Sequence, residues 1–107
     1  MERLRPLSDR ARATLEGLGY GGIEYRVGDG TLGWPEEAPF DRVVVTAAAP
    51  RPPPSLLAQL KDGGSIVIPV GGATGQELLS IVRDGESYRR RFLCSCVFVR
   101  LIGEEGW

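Results

Sequence analysis

The stretch Val27-Gly28-Asp29-Gly30-Thr31-Leu32-Gly33-Trp34 decides how the rest of this chain is read. Val27 closes a short strand-like run that begins at Ile23, and Gly-Asp-Gly then turns the backbone around one carboxylate with little bulk beside it. An open α/β sheet needs such a turn where its strands end at a ligand crevice, so the stretch reads as a place to hold a nucleoside. Downstream, Pro39-Phe40-Asp41-Arg42 leads into Val43-Val44-Val45, a buried strand, and then into Thr46 and three alanines ending at Pro50. That places a floor of small side chains at a strand's carboxyl end.

Upstream of the Gly-Asp-Gly turn, Leu4, Leu7, Ala11, Leu15 and Leu18 recur at helical spacing. Pro6 suits a first turn, and Gly17 and Gly19 supply a stop, which predicts a helix over 6–18 and a strand over 23–27. Gly17-Leu18-Gly19-Tyr20-Gly21-Gly22 has the spacing of a dinucleotide fingerprint, but it follows a helix and precedes a strand, the reverse of the order that motif needs.

Downstream, a strand over 41–46 is expected, then a helix opening at Pro54 or Ser55 and running to Leu60, with Lys61-Asp62-Gly63-Gly64 ending it. Ser65 to Val70 reads as a third strand, with Pro69 near its end, and Gly71 to Gly75 as a flexible connection. Gln76 to Arg83 reads as a strand, Asp84-Gly85 as its turn and Ser87 to Leu101 as a long return strand. A βαβ run followed by two antiparallel strands makes a mixed sheet.

The 107 residues allow one domain, 1–107, and 42% hydrophobic content supports a core. Thirteen basic against 14 acidic residues give a net charge of -1, so no global field favours nucleic acid or an anionic membrane, and Arg89-Arg90-Arg91 reads as a solvated strand end. The absence of a long apolar run or an apolar leader predicts a cytoplasmic protein with no membrane partner. Cys94 and Cys96 lie two apart on one strand face, poor geometry for a disulfide, and without histidine no metal site is expected.

The paired pattern, Gly28-Asp29-Gly30 with Gly33-Trp34, then Pro39-Phe40-Asp41 and Val45-Thr46-Ala47-Ala48-Ala49-Pro50, resembles the protein-L-isoaspartate O-methyltransferase family. The resemblance extends from Glu2 to Trp107. It implies a partial Rossmann-like S-adenosylmethionine methyltransferase fold, α/β, with a mixed sheet and a C-terminal antiparallel hairpin. The implied cofactor is S-adenosylmethionine, and the implied acceptor is the side-chain carboxylate of isoaspartyl residues in damaged proteins. The chain shows no Ser-His-Asp set, which is compatible with such chemistry, because a carboxylate is already nucleophilic at neutral pH and catalysis rests on positioning.

By the same resemblance, Glu2-Arg3 matches the acidic residue and arginine at the end of a sheet strand, where the carboxylate accepts from the cofactor's ribose hydroxyls. Glu2 otherwise reads as an exposed terminal glutamate. Asp29 matches the residue beside the adenine amine, with Gly28 and Gly30 letting the backbone approach; read locally, it is a turn aspartate bonded to its own backbone. Trp34 reads as loop packing rather than a base stack. Thr46, Ala47 and Ala48, with Val70 and Gly71, match the path of the acceptor peptide, while small residues there equally suit close helix packing; Val70-Gly71 and Gln76 resemble the family's next rim segment. Ile102 to Trp107 resembles the tail that folds back near the site.

Family members also have, upstream, a first strand with a glycine-rich turn for the methionine part of the cofactor, which these residues do not contain. The chain therefore looks like the C-terminal portion of the enzyme, inactive in isolation. The missing strand would lie between 23–27 and 41–46, which leaves Val43-Val44-Val45 an open edge. An alternative is a non-enzymatic truncated module that rearranges its sheet or forms a homodimer to bind a partner strand.

Overall fold

Apolar spacing and a well-built terminus make the first helix. The computed structural model describes all residues, Met1–Trp107, and its α1 spans Arg5–Gly17 with Pro6 in the first turn. At its end the Tyr20 N–H donates to Leu15 O (2.9 Å) and the Gly19 N–H to Glu16 O (3.0 Å), with Gly19 at φ 90°. This is a Schellman cap, which needs a left-handed residue just past the helix's capping residue, and it gives Gly19 a structural role. Arg12 Nε meets Glu16 Oε1 at 2.9 Å, an exposed pair of small consequence. The apolar stripe is not covered: Leu4, Leu7 and Leu18 are 42%, 46% and 68% exposed, and Ser8 is the buried residue of α1.

The chain divides into two units, Met1–Gly30 and Thr31–Trp107. In the first, the strand expected over 23–27 does not form. Val27 alone makes a parallel bridge, to Glu2. A single bridge makes no ladder, so the run stays irregular up to Val27.

The second unit holds the sheet. After short 3₁₀ turns at Gly30–Leu32 and Pro35–Glu37 come β1 (Phe40–Val44), α2 (Pro54–Ala58), β2 (Leu60–Gly72), β3 (Gly75–Asp84) and β4 (Ser87–Cys96). They form one four-stranded sheet in the order β1-β2-β3-β4, with β1 parallel to β2 and the other pairs antiparallel, the expected mixed sheet. β1 is an edge strand and Val44 is 72% exposed.

Period-two alternation places Ile66 and Ile68 of β2 directly opposite Ile81 and Leu79 of β3. These four, with Leu56, Leu60 and Ala49, form the core, all at most 7% exposed. Each large aliphatic chain buried here contributes roughly 1.5–3 kcal/mol.

Several boundaries differ from the sequence expectation for identifiable reasons. Lys61-Asp62-Gly63-Gly64 is not a helix stop; α2 ends at Ala58, and these residues form an irregularity within β2, where Phe40 pairs Leu60 but Arg42 pairs Ser65. The Gly71 to Gly75 connection is a tight hairpin, with Gly72 paired to Gly75. A side chain on Gly71, at φ 142°, would run into Gly75 O, so only glycine fits that approach. The second hairpin turns at Gly85-Glu86, one residue later than expected. The return strand ends at Cys96 rather than Leu101 because Cys96 pairs with Gln76 and only Gly75 of β3 lies beyond, too little backbone to carry the pairing on to Leu101.

The arginine run is exposed, as expected, and the two cysteines are free thiols, Cys94 exposed and Cys96 half-buried. Burial, and then the neighbouring Cys94, push the Cys96 thiol above its ordinary value. No helix is long and apolar enough to cross a membrane.

Candidate functional site

The residues singled out from the sequence fall into two groups, one in each unit. In Met1–Gly30, the parallel bridge between Glu2 and Val27 organises the first group. The Glu2 N–H donates to Arg26 O and the Gly28 N–H to Glu2 O, both at 3.0 Å. Two chain segments thus run side by side in the same direction, with Glu2-Arg3 leaving one and Gly28-Asp29-Gly30 leaving the other. Parallel segments ending together are where open α/β sheets place ligands.

Within this group Glu2 is half-buried, and its carboxylate already has a structural duty, accepting the Leu4 N–H at 3.0 Å just before α1. Arg3 is exposed, while Gly28, Asp29 and Gly30 are half-buried. Space remains beside the aspartate: a Cβ on Gly30 would meet nothing within 4 Å, and one on Gly28 would meet only Met1 Cε at 3.6 Å. A planar ring system presented to a turn carboxylate needs such open backbone on both sides.

In Thr31–Trp107, the Thr46–Ala49 segment forms the second group's centre. Thr46 is exposed, Ala47 half-buried, and Ala48 and Ala49 wholly buried. The small residues are packed, and their main chain is held on both flanks. On one, Ala48 bridges Arg100 in parallel, with the Ala48 N–H donating to Val99 O (2.7 Å) and the Leu101 N–H to Ala48 O (2.8 Å). On the other, Ala49 bridges Val70, with the Ala49 N–H donating to Pro69 O (3.1 Å) and the Gly71 N–H to Ala49 O (2.9 Å). Ala48 and Ala49 therefore sit in one small ladder between Arg100 on one side and Val70 on the other, and Thr46 and Ala47 lead into it. An open cleft of about 700 Å³ lies over Val70, Gly71, Thr74, Gln76, Cys96 and Val97.

Three polar side chains that hold this region were not assigned these duties from the sequence. Gln59 Oε1 accepts the Trp34 N–H (2.8 Å) and its Nε2 donates to Leu32 O (2.9 Å), pinning the loop after the Gly-Asp-Gly turn. Glu105 accepts from the Ser55 N–H (2.9 Å) and hydroxyl (2.7 Å) at the start of α2, while its own N–H donates to Thr31 Oγ1 (3.1 Å). Gln76, 5% exposed, bonds three backbone groups. Apart from Gly72, four residues before Gln76, their partners lie 22 to 74 residues away, 25 for Trp34 and 50 for Ser55 among them, so no local pattern marks them. The tail returns as expected, since Trp107 Nε1 donates to Ala48 O at 2.9 Å.

The family model described as protein-L-isoaspartate(D-aspartate) O-methyltransferase matches residues 1–106. A protein-L-isoaspartate O-methyltransferase of Magnetococcus marinus is 50% identical over all of this chain and 47% of its own length. A second, from Pelobacter propionicus, is 53% identical over all of this chain and 48% of its own length. The chain spans about half the length of the curated relatives it matches. Among solved structures, a protein-L-isoaspartate O-methyltransferase superposes with a TM-score of 0.85 at 25% identity, over 96% of this chain and 33% of that one. A Plasmodium falciparum structure in complex with S-adenosyl-L-homocysteine superposes with a TM-score of 0.77 at 21% identity, over 94% of this chain and 50% of its own. Because the family model matches residues 1–106, nearly the whole chain, the chain belongs to the protein-L-isoaspartate O-methyltransferase family.

Proposed function

We propose that these 107 residues supply the C-terminal part of an S-adenosylmethionine-dependent carboxyl methyltransferase that acts on isoaspartyl residues of damaged cytoplasmic proteins. The observation that carries this reading is the parallel Glu2–Val27 bridge, which sets Glu2-Arg3 beside Gly28-Asp29-Gly30. On this reading one carboxylate serves a vicinal diol and the other an exocyclic amine, the two polar edges of an adenosine. S-adenosylmethionine, when bound, supplies an electrophilic methyl group and its own leaving group.

On this reading Glu2 accepts from ribose hydroxyls, Asp29 accepts from the adenine amine, and Gly28 and Gly30 leave the backbone approachable. Arg3 continues the strand end next to Glu2. Thr46, Ala47 and Ala48, with Val70 and Gly71, form the wall along which an isoaspartyl backbone passes. The small ladder keeps that wall fixed, so an acceptor carboxylate is oriented without a general base. Orientation of this kind is worth on the order of 7–11 kcal/mol of barrier. These residues include no group that would grip the methionine part of the cofactor, so the 107-residue polypeptide alone shows no turnover and binds cofactor weakly.

A labelled-methyl assay tests the reading. A full-length polypeptide carrying these residues is expected to methylate an isoaspartyl peptide and not its aspartyl isomer, while the 107 residues alone transfer nothing. Transfer confined to another acceptor would reject the isoaspartyl assignment. The open edge of β1 supports a second reading, a non-enzymatic module that pairs that edge with a second copy. Sedimentation of the 107-residue chain as a monomer would remove it.

A further inference from the structure

We infer that Gln76 is a positioning residue for the acceptor, the clasp that ties together the two flanks of the Thr46–Ala49 segment. The inference rests on the proposed role of that segment. Gln76 is 5% exposed at the start of β3, where its backbone pairs with Cys96, the last residue of β4. Beyond Cys96 only Gly75 of β3 remains, yet the chain must continue alongside for Val99 and Leu101 to reach Ala48. The Gln76 side chain takes over as the partner. Its Oε1 accepts the Phe98 N–H (2.5 Å) and its Nε2 donates to Phe98 O (3.0 Å), so one carboxamide reproduces both bonds of a backbone pair.

The same Nε2 also donates to Gly72 O at 2.9 Å. Gly72 ends β2, directly after Gly71, which bonds Ala49, whereas Phe98 lies directly before Val99, which bonds Ala48. A single amide therefore joins the strand on one side of Ala48-Ala49 to the strand on the other. Only a carboxamide of this length carries the required acceptor and two donors. A methionine would fill the space and make none of the bonds, and a glutamate would face two carbonyl oxygens with a negative charge.

Gln76→Met and Gln76→Glu in a full-length polypeptide test this. Amide exchange at Ala48 and Leu101 is expected to quicken roughly tenfold, while Ile66 and Ile81 in the core keep their protection within about twofold, which shows that the variants fold. The KM for an isoaspartyl peptide is expected to rise about tenfold, with cofactor affinity by calorimetry unchanged. Unaltered exchange at Ala48 and Leu101 would overturn the clasp. Faster exchange with an unchanged acceptor KM would overturn the link to acceptor binding while leaving the methyltransferase reading intact. If the parent protein transfers no methyl to the isoaspartyl peptide, the reading beneath the inference fails, and the acceptor role of Gln76 falls with it.

Discussion

Met1–Gly30 and Thr31–Trp107 are made of similarly patterned sequence and reach different ends. The first has an amphipathic 13-residue helix whose leucines remain largely exposed and one isolated bridge in place of a strand. The second has Ile66, Ile68, Leu79 and Ile81 interlocked across two paired strands, with Leu56 and Leu60 beside them. Periodicity sets the conformation of a segment, but stability comes from a second surface to cover the apolar face. The proposed cofactor residues are in the unit with little core, and the proposed acceptor residues are in the unit that has one.

That contrast can be broken first at the core. Ile66→Ala is expected to destabilise the 107-residue chain by about 2–5 kcal/mol, read from the shift of a denaturant midpoint followed by sheet circular dichroism. A loss below about 1 kcal/mol would mean that the second unit does not depend on its interlocked pairs. Next, in a full-length polypeptide, Asp29→Ala is expected to weaken S-adenosylmethionine binding by about 1.5–3 kcal/mol, and Asp29→Asn by less because an amide oxygen still accepts. Calorimetric affinities equal to the parent for both variants would return Asp29 to a turn role. A smaller effect is expected at the tail: Glu105→Ala removes both acceptors from Ser55 at the start of α2 and should cost about 1 kcal/mol, as a lost helix cap does. Fluorescence of Trp107, whose indole is bonded to Ala48, offers a local readout of tail release in that variant. The smallest effect sharpens the comparison from the other side. Leu7→Lys, at a site 46% exposed, is expected to change stability by less than about 0.5 kcal/mol. A clearly larger loss, varying with protein concentration, would show that a second copy covers the leucine stripe in solution.

The sequence by itself determined the first helix, the strand cores around Val43, Ile66 to Ile68 and Leu78 to Val82, the mixed sheet, and the family pattern of Gly28-Asp29-Gly30 and Thr46–Pro50. These are local matters of spacing and turn chemistry, which short stretches carry whatever surrounds them. Tertiary structure decided the rest. Ile23 to Val27 has strand-like spacing but finds only Glu2 to pair with, β4 stops where only Gly75 of β3 remains, and Lys61 to Gly64 is absorbed into β2 rather than ending a helix. Gln59, Gln76 and Glu105 are ordinary polar residues in the sequence and become fasteners only when distant backbone groups arrive beside them. A ladder or a clasp is a property of two segments together, and neither segment alone specifies the length or position of its partner.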